Sequence, residues 1–248
     1  MIPRKTLPSP RPRTKAKRYL AAVGGFAIVL LLAAVLVAYT GDPITKHLAM
    51  NVAETYANET YPDSDIKAVE ASAQHWFRYE VLLESEQSAD TFFSVYVACG
   101  KVAGDSYDET VGNCGNTWNR IMLQLTDDVD AALSAAGVSH AGYGLYHDNY
   151  LSNTGEVPVP AEGHPLLTVD MPYDKGNLPP VALVLDLEVP EGTDDPEAAV
   201  WEFVQQVKSA MDAAGIDIAA YQVTFRGADG SELYASPLIA AGDVPAAP

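Results

Sequence analysis

The sequence predicts an α+β protein: an N-terminal transmembrane helix followed by two small exported α+β units with antiparallel sheets. Three observations lead to that class. No charged residue occurs from Tyr19 to Thr40. Two later stretches, residues 77–84 and 181–189, place apolar side chains at every second position, the period of a strand. Other stretches repeat apolar residues every three or four positions, the period of a helix.

Composition narrows the alternatives. The 248 residues are 48% hydrophobic and 19% charged, which excludes disorder, collagen and coiled coil as descriptions of the whole chain. The 15 Lys+Arg and 33 Asp+Glu give a net charge of −18, but the charge is unevenly spread. Seven bases (Arg4, Lys5, Arg11, Arg13, Lys15, Lys17, Arg18) lie in the first 18 residues, where no acid occurs. From Asp42 onward, 33 acids face 8 bases, a net −25. That field disfavours nucleic acid, whose binding needs clustered Lys and Arg against phosphate. Basic proteins, basic peptides and diffuse cations are the favoured partners.

The expected domain order follows. Residues 1–18, with Pro3, Pro8, Pro10 and Pro12 among the bases, read as a basic disordered cytoplasmic tail. Residues 19–40 read as an uncleaved transmembrane signal anchor. Its 22 residues would rise about 33 Å as a helix, against a hydrocarbon core of roughly 30 Å. The bilayer would thus be a partner through residues 19–40. The basic excess before the helix would keep the N-terminus cytoplasmic, making a single-pass cell-membrane protein with extracytoplasmic domains. Ala21 and Gly25 form a small-residue pair that could seat a second helix, although a solitary anchor is the default.

The first unit is expected over residues 41–138 as helix, three strands, helix. Ile44, Leu48, Val52 and Tyr56 form a four-residue stripe, and Tyr61-Pro62 ends that helix. A weak strand is expected over residues 66–71. Phe77, Tyr79, Val81 and Leu83 form one inward row, and Phe93, Val95 and Val97 another, with Cys99 in phase. Asn116 or Thr117 can cap a second helix whose stripe is Trp118, Ile121, Leu125, Val129, Ala132, Leu133 and Ala136. Residues 139–165 read as a linker.

The second unit is expected over residues 166–237 as two strands, a helix and two strands. A strand over 166–171 precedes the alternating Val181, Leu183, Leu185, Leu187 and Val189. Asp194 or Asp195 caps a helix with Pro196 in its first turn. Its stripe is Val200, Phe203, Val204, Val207, Met211 and Ala214, and Gly215 suits the end. Residues 218–226 and 231–236 pair across Asp229-Gly230. Residues 238–248 read as a flexible tail.

Several of these stretches resemble the YfjL-like family of small, functionally uncharacterised, membrane-anchored bacterial proteins. The resemblance begins with Gly41-Asp42-Pro43-Ile44-Thr45-Lys46 and continues through Tyr61-Pro62 and Phe77-Arg78-Tyr79-Glu80-Val81. It takes in residues 107–111, Asn116-Thr117-Trp118-Asn119-Arg120 and the stretch from Met211 to Ile216. It implies a membrane-anchored α+β layout and carries over no catalytic residue. The chain departs from the family in its Cys99/Cys114 pair and its alanine-rich, acidic composition.

Candidates for chemistry are few. Cys99 and Cys114 are expected to form a structural disulfide, whose loop of about 15 residues is worth roughly 3 kcal/mol. Free thiols or an intermolecular bond are the alternatives. Histidines 47, 75, 140, 147 and 164 form no metal-binding pair, and no Gly-x-Ser-x-Gly elbow supports a triad. No Walker or dinucleotide glycine loop occurs. The acid clusters Asp63/Asp65, Asp127/Asp128/Asp130 and Glu191/Asp194/Asp195/Glu197 match no calcium loop. No catalytic residue, cofactor or metal ligand is therefore assigned.

The leading expectation is a membrane-anchored, non-catalytic binding or scaffold module at the cell envelope, with an envelope protein as partner. Tyr143, Tyr146, Tyr150 and Trp76 form an aromatic seam that could be the contact surface or could be interdomain packing. The rival is an envelope hydrolase with a spatially assembled site, which would need a histidine beside a serine and an aspartate. A third reading is an accessory subunit of a membrane complex.

Overall fold

The computed structural model of the protein describes residues 15–40, 42–75, 77–152, 155–188, 196–226 and 232–245. The chain divides into two compact units, Met1–Gln87 with Phe92–Tyr107, and Ser88–Thr91 with Asp108–Pro248. Both are α+β.

The first unit opens with helix α1 (Lys15–Thr40) and helix α2 (Pro43–Thr60). Asp42 begins α2: its carboxylate accepts a hydrogen bond from Thr45 N at 3.1 Å, and Pro43 occupies the first turn. Four strands follow as an antiparallel meander in spatial order β1 (Ile66–His75), β2 (Arg78–Ser85), β3 (Phe92–Ala98) and β4 (Lys101–Asp105). Tyr79, Val81 and Leu83 of β2 and Phe93, Val95 and Val97 of β3 are buried as the alternation predicts, whereas Phe77 and Cys99, expected in the same rows, are exposed.

The transmembrane anchor expected over residues 19–40 is corrected: among the described residues no helix is long and apolar enough to cross a membrane. The helix also starts at Lys15, so residues 15–18 are helical rather than disordered. Residues 1–14 lie outside the described ones.

Helix α2 departs from its expected stripe. Its buried face is Ala49, Ala53 and Ala57, while Ile44 and Leu48 stand 71% and 56% exposed. Small side chains let a helix approach a sheet closely, and here that approach decides which face turns inward.

The second unit is built on a five-stranded sheet. Its path is β10 (Glu232–Ala235), β9 (Ala220–Arg226), β8 (Val181–Glu188) and β5 (Gly142–His147), with β11 (Ile239–Ala240) also on β9. A separate hairpin joins β6 (Asn149–Ser152) and β7 (Gly155–Pro158). β8 and β9 pair in parallel because helix α4 (Pro196–Ala214) carries the chain between them, so this sheet is not purely antiparallel as expected. The core joins Leu183, Leu185 and Leu187 of β8 to Val200, Val204, Val207 and Met211 of α4. Helix α3 (Gly115–Ala135) adds Ile121, Leu125, Val129 and Leu133 to that core.

Four expected assignments change. α3 was expected to close the first unit and belongs instead to the second, where its apolar stripe is buried. The linker expected over 139–165 contains β5, β6 and β7. Residues 166–171 form no strand, and the supposed tail holds β11 and a buried Val244. The predicted caps at Asp194 or Asp195 and the Asp229-Gly230 turn lie outside the described residues, as does Val189. Gly215, at φ 68°, ends α4 in the left-handed conformation that glycine adopts without cost.

Candidate functional site

The aromatic residues singled out in the sequence lead to a cleft within the second unit. Strand β5 is an edge strand, paired with β8 along one side. Beside it α3 presents Met122, Thr126 and Asp130, and His140 stands just before the strand. Together with Tyr143 and Tyr146 these residues line an open cleft of about 520 Å³.

Each wall is fixed by a local cause. Tyr143 Oη donates to Asp130 Oδ1 at 2.7 Å and lies 3.2 Å from Thr126 O, tying β5 to α3. Burial, then the Asp130 carboxylate, pushes the Tyr143 hydroxyl well above its ordinary range, so it stays a proton donor. The His140 ring lies 5.5 Å from that of Tyr143. Tyr146 lies across Gly144: a Cβ there would meet the ring at 2.7 Å, so the missing side chain makes room for it. Aromatic faces beside a carboxylate suit a cationic or hydrogen-bond-donating guest. Trp76 lies outside the described residues, as does the side chain of Tyr150.

Among the described residues, the polar neighbours of His140, His147 and His164 are carbonyls and carboxylates. His147 Nδ1 lies 3.0 Å from Pro180 O and its Nε2 3.0 Å from Asp148 Oδ1. His164 Nδ1 lies 3.2 Å from Leu178 O and 3.3 Å from Asp217 Oδ2. His140 Nδ1 is 3.4 Å from Val138 O. Carbonyls and carboxylates, not a hydroxyl, occupy these rings.

The acid cluster of α3 is dispersed by its partners. Asp128 accepts from Tyr173 Oη at 2.6 Å and lies 3.6 Å from Lys175 Nζ, while Asp130 faces Tyr143 and Asp127 is exposed. Among the described residues no three His, Cys, Asp or Glu side chains are grouped to hold a metal ion. Glu191, Asp194 and Asp195 lie outside them, and so do the side chains of Asp63 and Glu197. Cys99 and Cys114 are free thiols, Cys99 exposed in the first unit and Cys114 half-buried in the second.

One polar centre was not foreseen. Asp90, 3% exposed, receives Arg120 Nε at 2.9 Å and Nη2 at 2.7 Å, and Thr117 Oγ1 at 2.7 Å. Asn116 Nδ2 donates to Asp90 O at 2.9 Å, and Arg120 Nη2 reaches Met171 O at 2.7 Å. Asn116 and Thr117 were expected to cap α3; they tie it to residues 88–91 instead, and the cap position is Cys114. The guanidinium holds the Asp90 carboxyl below its ordinary range despite burial. Among the described residues no buried side-chain donor or acceptor is left without a partner, so this centre reads as a structural tie. The signal was the run from Asn116 to Arg120, which places Asn116, Thr117 and Arg120 on the first turns of α3.

Residues 16–99 match the family model described as YfjL-like, N-terminal domain, about a third of the chain. No curated protein and no solved structure matches. The matched span contains the motifs at residues 41–46, 61–62 and 77–81; those at 107–111, 116–120 and 211–216 lie beyond it. Over residues 16–99 the chain is similar to the YfjL-like N-terminal domain, a likeness that supports the YfjL-like family.

Proposed function

We propose that the protein is a non-catalytic binding or scaffold module of the cell envelope, attached to the bilayer by α1 and presenting its acidic units on the extracytoplasmic side. The observation that carries the binding role is the cleft between α3 and edge strand β5, with Tyr143, Tyr146 and His140 beside Asp130. A basic peptide segment is the guest that fits it. Aromatic rings accept cations over their faces, the carboxylate pairs with them, and the net −25 beyond Asp42 draws them in.

Lipid attachment has its own support. The side chains of Leu20, Phe26, Ile28 and Val29 stand between 60% and 76% exposed and point to different sides of α1. A helix apolar on all sides needs an apolar surrounding, and lipid supplies one.

Titration of the full chain in detergent with a lysine-rich peptide tests the cleft. Binding is expected to weaken as salt rises, and by roughly tenfold in Tyr146→Ala and in Asp130→Asn. Equal binding by wild type and both variants would remove the cleft from the account.

A further inference from the structure

Strand β5 ends its sheet in a way that the other edge strands do not. An unpaired strand edge offers a row of N–H and C=O groups to other chains, and folded proteins blunt it with charge, proline or bulges. β1 carries Lys67 and Glu70, β4 carries Lys101 and Asp105, and β10 carries Glu232. The register of each with its neighbour is also interrupted. β5 is Gly-Tyr-Gly-Leu-Tyr-His, without Lys, Arg, Asp, Glu or Pro, and its register with β8 is unbroken from Gly142 to His147. Among the described residues no strand pairs on its other side, and the backbone of residues 142–145 makes no hydrogen bond outside the β8 ladder.

The cleft follows this edge. Gly142, Tyr143, Gly144, Leu145 and Tyr146 all line it. Successive residues of a strand face opposite ways, so a cleft that touches all five runs along the backbone rather than over one face of the sheet. Helix α3 forms the far wall and runs antiparallel to β5. The Trp118 ring lies 5.2 Å from that of His147 at one end, and Tyr143 Oη donates to Asp130 at the other. Trp118, Met122, Thr126 and Asp130, four residues apart, share that side of the helix. Over those residues α3 rises about 18 Å and β5 spans about 17 Å, so the two walls match in length. At Gly142 the space that a side chain would fill is open.

We propose that an extended basic peptide docks here as an added strand, pairing its backbone with the free edge of β5 and pointing alternate side chains toward α3. The inference rests on the reading of this cleft as a binding site, and it adds how the guest is held and which sequences are taken. In strand addition the main-chain hydrogen bonds supply affinity and the alternate side chains supply selection. The row facing α3 meets Met122 along the groove and Asp130 near its end, with Asp127 exposed on the same stretch of helix. Residues 121–174 hold eight acids and no Lys or Arg, so bases in that row meet a field of one sign. The guest is therefore a strand-forming segment with Lys or Arg at every second position. A second copy of this chain would bring the same acids to the edge and be repelled.

The test titrates the full chain in nonionic detergent with a peptide alternating lysine and valine, and with the same peptide N-methylated at all its amides. Methylation keeps every charge and removes the donors that a paired strand needs. The expected result is binding that slows hydrogen exchange across residues 142–147 and that methylation weakens at least about tenfold. Equal binding of the two peptides overturns strand addition, and the cleft still stands as a binding site if Tyr146→Ala weakens both. Binding that leaves exchange of residues 142–147 unchanged overturns docking at this edge. A dimer of the free chain that protects the same amides and persists with peptide present assigns the edge to a second copy and overturns the proposal. Binding of neither peptide overturns both the strand addition and the cleft.

Discussion

Asp90 shows how a single carboxylate can tie a turn to a helix. It accepts from Arg120 and Thr117 while its own carbonyl is held by Asn116, so replacing it strands several donors at once. Asp90→Ala is expected to cost about 2–3 kcal/mol in urea unfolding, because Arg120 remains partly solvated. The native carboxyl titrates below its unfolded value, so its contribution is present above the ordinary aspartate range. It is lost as pH falls through the lower native value, and the stabilities of wild type and Asp90→Ala should converge there. The cysteines differ in a measurable way. Burial, then the charge of Asp148, raises the Cys114 thiol, whereas Cys99 is exposed. Alkylation near neutral pH should therefore show a fast phase that Cys99→Ser removes and a slow one that remains. Reaction of neither thiol until reductant is added would instead reveal the bridge expected from the sequence.

At the scale of elements, α2 carries the clearest consequence. Ala53 is fully buried against the sheet, so Ala53→Leu should destabilise by about 1–3 kcal/mol, while Leu48→Ala should stay within about 0.5 kcal/mol. A stripe-based assignment predicts the reverse order, and chemical denaturation of the two variants decides between them. The contrast also shows what the sequence could carry. The middle of β2, β3, β8 and the stripes of α3 and α4 were legible, since Val, Leu and Phe at strand or helix spacing have one efficient burial. Alanine gives no such contrast, and the inner face of α2 was missed for that reason. β4 and β5 were missed because Gly104, Gly142 and Gly144 weaken local strand preference, leaving the ladders with β3 and β8 to impose it. Of the candidate cleft, Tyr143 and Tyr146 were visible as an aromatic cluster. Their meeting with Met122 and Asp130 depended on α3 belonging to the second unit, which no local pattern encodes.

On the scale of the whole molecule, the two units carry different surface features. The first unit carries α1 with its run of exposed apolar side chains; the second carries the aromatic, carboxylate-bearing cleft. Such a division suits a protein that holds to a lipid surface by one unit and recruits a basic partner with the other. The most direct measurement is photo-crosslinking in intact cells from a benzoylphenylalanine placed at position 146, with the exposed position 233 as control. The account predicts a discrete adduct with a basic segment of an envelope protein from position 146, absent from position 233 and diminished by Asp130→Asn. An equal pattern at both positions, or an adduct indifferent to Asp130, would contradict it.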